Sequence, residues 1–452
     1  MSKSYTEEEI VVLSNSLVGK KFGEINDYKI KSYGKGSFGH IIETDIFNYE
    51  INSKSEADFL DAGIELKVTP YKINKNMTLS AKERLVLNII NYMNEYKNDF
   101  YGSHFWRKNK RIQILWYCHE DNKLKEDLKI THQKLLSLAE EDLDIFINDW
   151  NLIIDKIKKG LAHELSEADT MYLGACTKGK NATSLREQPF SEIKAMQRAF
   201  CLKTSYMTQM VRKYIGDYTN VEKLLTDNTI PFMDYVNNVV DKYKGKTCTE
   251  LGKELNVITK AKSINNILIS RMFNIQGKIN NTDEFLKANI IPRTIRVESN
   301  GRIKESMPFP TFKYTEIVNQ DWEESELKNI LETTKYMFFV FKKNDKLDDY
   351  VFEGIKLWNM PFNTIETDVR NVWEKTKEVV KSGNIVNSID TNGKRKTNFP
   401  GQKENKVCHV RPHAINSSDT YLLPVKDKVT GEEKYTKHCF WINNAYLEEV
   451  IK

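Results

Sequence analysis

Apolar and polar residues alternate most cleanly from Gly63 to Val68, where Ile64, Leu66 and Val68 fall on one side of the chain and Glu65 and Lys67 on the other. A period of two predicts a half-buried β-strand. Two further β-rich runs follow, Leu85 to Tyr92 and Arg111 to Cys118. Around Trp150 the period lengthens. Ile153, Ile154 and Ile157 recur at helical spacing ahead of Gly160, which predicts an amphipathic helix closed by glycine. Another strand and helix are expected around Phe200. Short strands interleaved with helices predict an α/β fold.

The pattern occurs twice. Gly19-Lys20 and Gly245-Lys246 stand 226 residues apart (245 minus 19), and the offset continues without a gap to Ile64 and Ile290. Within it Ser37 pairs with Ser263, Ile41 with Ile267, Phe47-Asn48 with Phe273-Asn274, Phe59-Leu60 with Phe285-Leu286, and Ala62 with Ala288. Later, Trp150 through Gly160 resembles Trp373 through Gly383, and Phe200, Leu202, Lys203 and Tyr206 match Phe440, Ile442, Asn443 and Tyr446 in spacing. Two related domains in tandem are predicted: residues 1–220, a linker at 221–243 without a repeat partner, and residues 244–452.

Composition narrows the class. Of 452 residues, 40% are hydrophobic and 29% charged, which excludes collagen-like and disordered chains. No run of 18 apolar residues occurs and the first turn, Thr6 to Glu9, is acidic, so neither a membrane span nor a signal peptide is expected and the address is cytoplasmic by default. Six cysteines without a C-x-x-C pair point to reduced thiols. Cys408-His409 and His438-Cys439 lack zinc-site spacing and are read as core or surface residues. A net charge of +5 tolerates a nucleic-acid partner without demanding one.

Two motifs invite chemistry. Gly34-Lys35-Gly36-Ser37-Phe38-Gly39 has the G-x-G-x-x-G form of a kinase phosphate loop, but no H-R-D, D-F-G or A-P-E accompanies it. A dinucleotide-binding reading fails because Asp27 to Lys31 is too polar and short for the strand that should precede it. A flexible turn leading into a helix near Phe38 is the plain alternative. The second motif is Asp58 to Lys67. Glu65 and Lys67 share a strand face, and Asp58 reaches the same side from the preceding turn. Two carboxylates and the Leu66 carbonyl suit a hard cation such as Mg²⁺, and an adjacent lysine orients an attacking water. Acid-x6-acid-x-base spacing arises by chance about once in a chain of this charge content, and a solvated strand face explains it equally well. Three features favour chemistry: the apolar alternation, Glu43 upstream, and the fate of the repeat. At the offset of 226, Asp58 becomes Glu284, Glu65 becomes Ile291, Lys67 becomes Arg293, Glu43 becomes Ile269 and Lys35 becomes Ala261. Isoleucine cannot bind a metal, so the second copy keeps a scaffold and drops the chemistry.

These residues resemble the MutH-like nucleases and, more closely, the Sau-three-A-I-type restriction endonucleases that cut GATC. The resemblance runs through Lys35-Gly36-x-x-Gly39 and Glu43, the Asp58 to Lys67 segment, Lys82-Glu83-Arg84-Leu85, Asp149-Trp150, Ala162 to Glu167, Cys176-Thr177-Lys178-Gly179 and Gln197 to Phe200. In the second half it includes Lys304 to Met307, Cys408 to His413 and Phe440 to Asn444. It implies a restriction-endonuclease-like core, a central mixed sheet flanked by helices, duplicated in tandem. It implies a type II enzyme that hydrolyses double-stranded DNA at GATC with Mg²⁺. Asp58 and Glu65 would be metal ligands with the Leu66 carbonyl, Lys67 the water-orienting lysine and Glu43 an assisting carboxylate. Lys35 and Lys108 would lie near the scissile phosphate, Lys108 through the match Ser103-x-x-Trp106-x-Lys108. For base reading the family has an Arg-Pro-Lys-Ala string. The second copy has Arg411-Pro412-His413-Ala414, whereas the first has Thr177-Lys178-Gly179-Lys180 and departs from it. Phe105 to Arg111 interleaves aromatic and basic residues, as either a DNA-facing loop or a strand entry with a solvated basic flank would, and Lys203 and Tyr206 are read either as DNA contacts or as core cover.

The second copy is then a DNA-binding domain without catalytic carboxylates. It has room for a second GATC site, and a DNA-induced dimer is a further partner; no membrane is expected. The alternatives are a MutH-like mismatch-repair nickase, which resembles a single copy, and a GATC-binding regulator without catalysis, against which Asp58, Glu65 and Lys67 argue.

Overall fold

The computed structural model describes residues 4–26, 37–49, 56–138, 140, 142–179, 184–216, 221–225, 230–259, 264–391, 393 and 395–452. Asp27 to Lys31, Lys35 and the rest of the glycine motif up to Gly36, Lys180, and the repeat positions Ala261 and Ser263 lie outside the described residues. The architecture is mixed α/β, as the alternating pattern predicts. Two compact units divide the chain: Met1–Phe232 with Asn280–Ile290, and Met233–Ile279 with Ile291–Lys452. The helices described have none long and apolar enough to cross a membrane.

In the first unit, helices α1 (Glu7–Leu17) and α2 (Ser37–Ile41) precede strands β1 (Glu65–Ile73), β2 (Leu79–Ala81) and β3 (Leu85–Ile89). Helix α3 (His104–Asn109), β4 (Arg111–Cys118), β5 (Ile130–Ser137) and helix α4 (Leu143–Lys158) follow. The unit continues through β6 (Leu173–Thr177), β7 (Leu185–Gln188), β8 (Ser191–Met196), β9 (Arg198–Leu202) and helix α5 (Thr204–Tyr214). One sheet has the order β2-β1-β4-β5, with β1 and β4 parallel and the other pairs antiparallel. The second sheet, β3-β9-β6, is antiparallel.

The strand predicted from alternation is there. Ile64, Leu66 and Leu115 join Ile10, Phe22, Phe47 and Phe59 in one core cluster, against which Val68 packs. That leaves Glu65 and Lys67 on the opposite face of β1, by the two-residue period. Helix α4 buries Trp150, Ile153, Ile154 and Ile157 as its period requires, and ends at Gly160 with φ +70°. It also buries Asp149. The Asp149 carboxylate accepts from the backbone N–H groups of Met171 (2.8 Å), Tyr172 (2.6 Å) and Leu173 (2.9 Å), fastening the helix to the start of β6.

The second unit has the sheets β10-β12-β13 and β11-β19-β16 and the hairpins β14-β15 and β17-β18. Their ranges are β10 Ile290–Val297, β11 Met307–Thr311, β12 Lys335–Asn344, β13 Asp349–Trp358, β14 Val386–Ile389, β15 Arg395–Thr397, β16 Cys408–Pro412, β17 Thr420–Leu422, β18 Lys434–Thr436 and β19 His438–Ile442. One apolar cluster including Phe338, Trp373 and Phe440 forms its core. Cys408, His409, His438 and Cys439 are all buried there, as core residues.

Candidate active site

Asp58 is brought to Glu65 by a tight turn. Phe59 and Ile64 exchange backbone hydrogen bonds (2.9 and 3.3 Å), and Gly63 sits at φ +62°, a conformation glycine adopts without strain. Phe59 is anchored by edge-on ring contacts to Tyr5 and Phe47. The turn thus hangs from the core and delivers Asp58 to the polar face of β1. There the Asp58 N–H donates to Glu65 Oε2 (3.2 Å), and the Leu66 N–H donates to Asp58 Oδ2 (3.0 Å).

Glu65 is 1% exposed and takes a cation on each oxygen: Lys67 Nζ at 2.6 Å from Oε1 and Lys108 Nζ at 3.2 Å from Oε2. Lys108 also donates to the Glu56 carbonyl (2.9 Å). The structure thus brings Lys108 to Glu65. Glu43 lies in a π-helical turn, Ile42–Ile46, that continues α2. Burial pushes its carboxyl up, partly countered by His40, Lys67 and Lys108. Asp58 is pushed up to about 7, first by burial and then by the Glu65 charge. A desolvated carboxyl beside a second carboxylate is the donor chemistry that a hard divalent cation satisfies, and Mg²⁺ keeps most of its waters when two carboxylates bind it. The described residues contain no group of three or more His, Cys, Asp and Glu side chains arranged to hold a metal. Asp58 and Glu65 supply two carboxylates of that kind, and a cation here would need its remaining ligands from other oxygens.

The helix that carries Lys108 is short and firmly held. Ser103 caps α3 by accepting from the Trp106 N–H (3.0 Å), and buried Glu95 accepts from the Phe105 N–H (3.2 Å) and pairs with His104 (3.0 Å). At the other end fully buried Asn109 donates to Asn88 Oδ1 (2.8 Å) and the Phe105 carbonyl (2.9 Å). Glu95 and Asn109 carry no spacing signal that marks them in the sequence. Only their burial distinguishes them from solvated residues.

The expected DNA contacts divide. Thr177 ends β6, and Lys178 and Gly179 extend from it as exposed residues, with the Lys178 N–H bonded to the Gln197 carbonyl (2.8 Å). Lys203 and Tyr206 are buried. Lys203 Nζ donates to the Thr170 carbonyl (2.5 Å) and the Tyr206 hydroxyl donates to Asp142 (3.1 Å), so both polar ends serve the interior and present no surface to DNA. In the second unit Arg411 is exposed and lies over the Trp441 ring at 3.8 Å, while His413 meets that ring edge-on at 5.2 Å. Ile269, at the repeat position of Glu43, is buried. Glu284, at the position of Asp58, spends its carboxylate on the backbone N–H groups of Leu224 and Leu225 (2.9 to 3.1 Å).

A family model described as DNA mismatch repair enzyme MutH matches residues 47–149, the stretch that contains Asp58, Glu65, Lys67 and Lys108. The chain is also 33% identical to the type II restriction enzyme Sau3AI of Staphylococcus aureus, a match that covers 100% of this chain and 99% of that protein.

Proposed function

The chain belongs to the family of the type II restriction enzyme Sau3AI, and on that premise we propose that it hydrolyses double-stranded DNA at GATC with Mg²⁺. The observation that carries the chemistry is the cluster Asp58, Glu65, Lys67 and Lys108, assembled on one face of β1 within the stretch that resembles MutH. Full-length kinship to a restriction enzyme weighs against a single-copy mismatch-repair nickase, and the intact cluster weighs against a regulator without catalysis.

Asp58, Glu65 and the Leu66 carbonyl would hold the cation, which when bound supplies charge neutralisation at the phosphodiester and a more acidic water. Lys67, an ammonium donating to Glu65, orients the attacking water. Glu43, its carboxyl raised by burial, is the acceptor suited to take that water's proton. Lys108 places positive charge where the scissile phosphate would sit; Lys35, expected beside it, lies outside the described residues. Thr177, Lys178 and Gly179 read the major groove beside this centre.

The two units share an order of elements that supports a tandem restriction-endonuclease-like core: a first strand, a helix, an antiparallel strand pair, a long helix with a buried Trp, and a three-stranded antiparallel sheet followed by a last helix. We assign catalysis to residues 1–220 and DNA binding to 244–452, where Arg411 and His413 face a second GATC. Pairing of two chains on DNA belongs to the same reading. The test is cleavage of plasmids carrying none, one or two GATC sites, with Mg²⁺ or excess chelator. Cutting confined to GATC and abolished by chelator is expected. Cutting elsewhere, or in chelator, overturns the assignment.

A further inference from the structure

The pairing of β3 with β9 contains an irregularity that bears on catalysis. Val86 lies opposite Cys201 and Ile89 opposite Ala199, so three steps along β3 span two along β9. This is a β-bulge at Leu87 and Asn88, a device that re-aims a side chain out of the ladder. The Asn88 carbonyl oxygen of the side chain accepts from Asn109 Nδ2 at 2.8 Å, and Asn109 is the residue next to Lys108. Asn109 is fully buried, and its own Oδ1 has no hydrogen-bond partner, so this amide is held by what Nδ2 reaches.

The same sheet carries the recognition residues. Thr177 at the end of β6 is opposite Arg198 on β9, and the Arg198 carbonyl accepts from the Ile90 N–H (2.9 Å) just past β3. Thr177, Arg198 and Ile90 thus form one row across the sheet, two residues from Asn88. The second unit supplies a comparison. Pro308 lies opposite Trp441 and Thr311 opposite Cys439, the same three-against-two bulge, and Pro310 occupies the place of Asn88. A proline side chain has no hydrogen-bonding group. The half of the chain in which Ile269 and Ile291 replace the two glutamates keeps the bulge and drops the link.

We propose that Asn88 and Asn109 are positioning residues that connect base recognition to catalysis: engagement of the Thr177–Gly179 loop sets the β3 bulge, which sets Lys108 over Glu65. This rests on the reading of that loop as the base-reading element. A chain of packed strands and hydrogen bonds with a side chain that is either engaged or released is the physical form such coupling takes.

The test compares Asn88→Leu, which removes the acceptor at similar volume, with Asn88→Asp, which keeps it. The full-length protein is used on a GATC duplex and on a duplex with one base pair changed. Single-turnover cleavage of GATC by Asn88→Leu should fall about tenfold or more, since misplacing a catalytic group by an ångström costs on the order of a hundredfold. Binding of the same duplex in Ca²⁺ should change by less than about threefold and cleavage of the altered duplex should fall far less than cleavage of GATC, so that discrimination collapses in the rate and not in binding. Asn88→Asp should retain discrimination. Wild-type discrimination in Asn88→Leu, or equal losses in both variants, overturns the link while leaving GATC recognition intact. A wild-type protein that cuts both duplexes equally overturns the recognition reading and the link with it.

Discussion

Asp58→Asn should abolish cleavage and yet make the metal-free protein more stable at neutral and higher pH. Asn keeps an acceptor for the Leu66 N–H and removes a charge that burial and Glu65 both oppose. The Asp58 carboxyl rises from its ordinary 3.8 to about 7. Below pH 3.8 it is neutral in the folded and unfolded protein, and the substitution changes nothing through charge. Between 3.8 and 7 the unfolded chain releases the proton while the folded protein keeps it, so the wild type loses stability relative to the variant as pH rises. Above 7 the loss is complete. A shift of roughly three units at 1.36 kcal/mol each sets a ceiling of about 4 kcal/mol.

Local relaxation takes back part of that ceiling, and a gain of about 1–3 kcal/mol at pH 8 is expected, which for a unit of this size is a rise in Tm of roughly 3–9 °C. The assay is thermal or urea unfolding of both proteins in chelator at pH 4, 6 and 8, with the gap widening across the series. Mg²⁺ should then close the gap: at ten times its Kd it stabilises the wild type by about 1.4 kcal/mol and the variant by much less. A variant no more stable than wild type at pH 8, or a gap equal at pH 4 and pH 8, refutes the argument that desolvation beside Glu65 governs this carboxyl.

Glu65→Gln should lower single-turnover cleavage by about 100-fold or more while DNA binding in Ca²⁺ survives, because it removes the proposed cation ligand and the anion that holds Lys67 and Lys108; near wild-type cutting would reject the site. Ca²⁺ should support binding without efficient cutting and Mg²⁺ both, measured by gel shift and plasmid nicking, since Ca²⁺ accepts the same oxygens in a looser geometry. Gly160→Ala should cost about 2–3 kcal/mol in urea unfolding, because a Cβ there would lie 2.6 Å from the Phe190 carbonyl oxygen at φ +70°; an unchanged midpoint would contradict the packing. Arg411→Ala should weaken preference for GATC over scrambled duplex by about 1–3 kcal/mol in competition binding, and no change would remove Arg411 from base reading.

What was legible in the chain follows the range of the physics behind it. Alternation places Glu65 and Lys67 on the face opposite Leu66 and Val68 whatever the rest of the fold does, because the side-chain period of a strand is a local property. Asp58 is legible nearly as well: six residues containing a glycine suffice for a turn that returns to the same strand. Lys203 and Tyr206 are different. Whether a lysine after a strand meets DNA or a buried carbonyl depends on Thr170 and Asp142, which lie 33 and 64 residues away along the chain. Their pattern matches the repeat and carries no sign of burial.

Register explains the remaining gap. The offset of 226 that carries Lys67 to Arg293 no longer holds at Leu85 and Met307, which are only 222 apart (307 minus 85), so no fixed offset aligns Asn88 with its counterpart. Loops absorb insertions and deletions; a hydrogen-bonded ladder does not. Leu85 lies opposite Leu202 as Met307 lies opposite Ile442, and counting from these pairs puts Asn88 and Pro310 at the same place in the same bulge. A bulge needs two strands to exist, and here they are separated by more than a hundred residues of chain. Loss of the two glutamates in the second half is visible residue by residue, whereas the loss of the hydrogen-bonding side chain becomes visible only once the strands are paired. If catalysis requires that side chain, restoring Glu43, Asp58, Glu65 and Lys67 at their repeat positions in the second half would still leave Pro310 where the linking amide belongs.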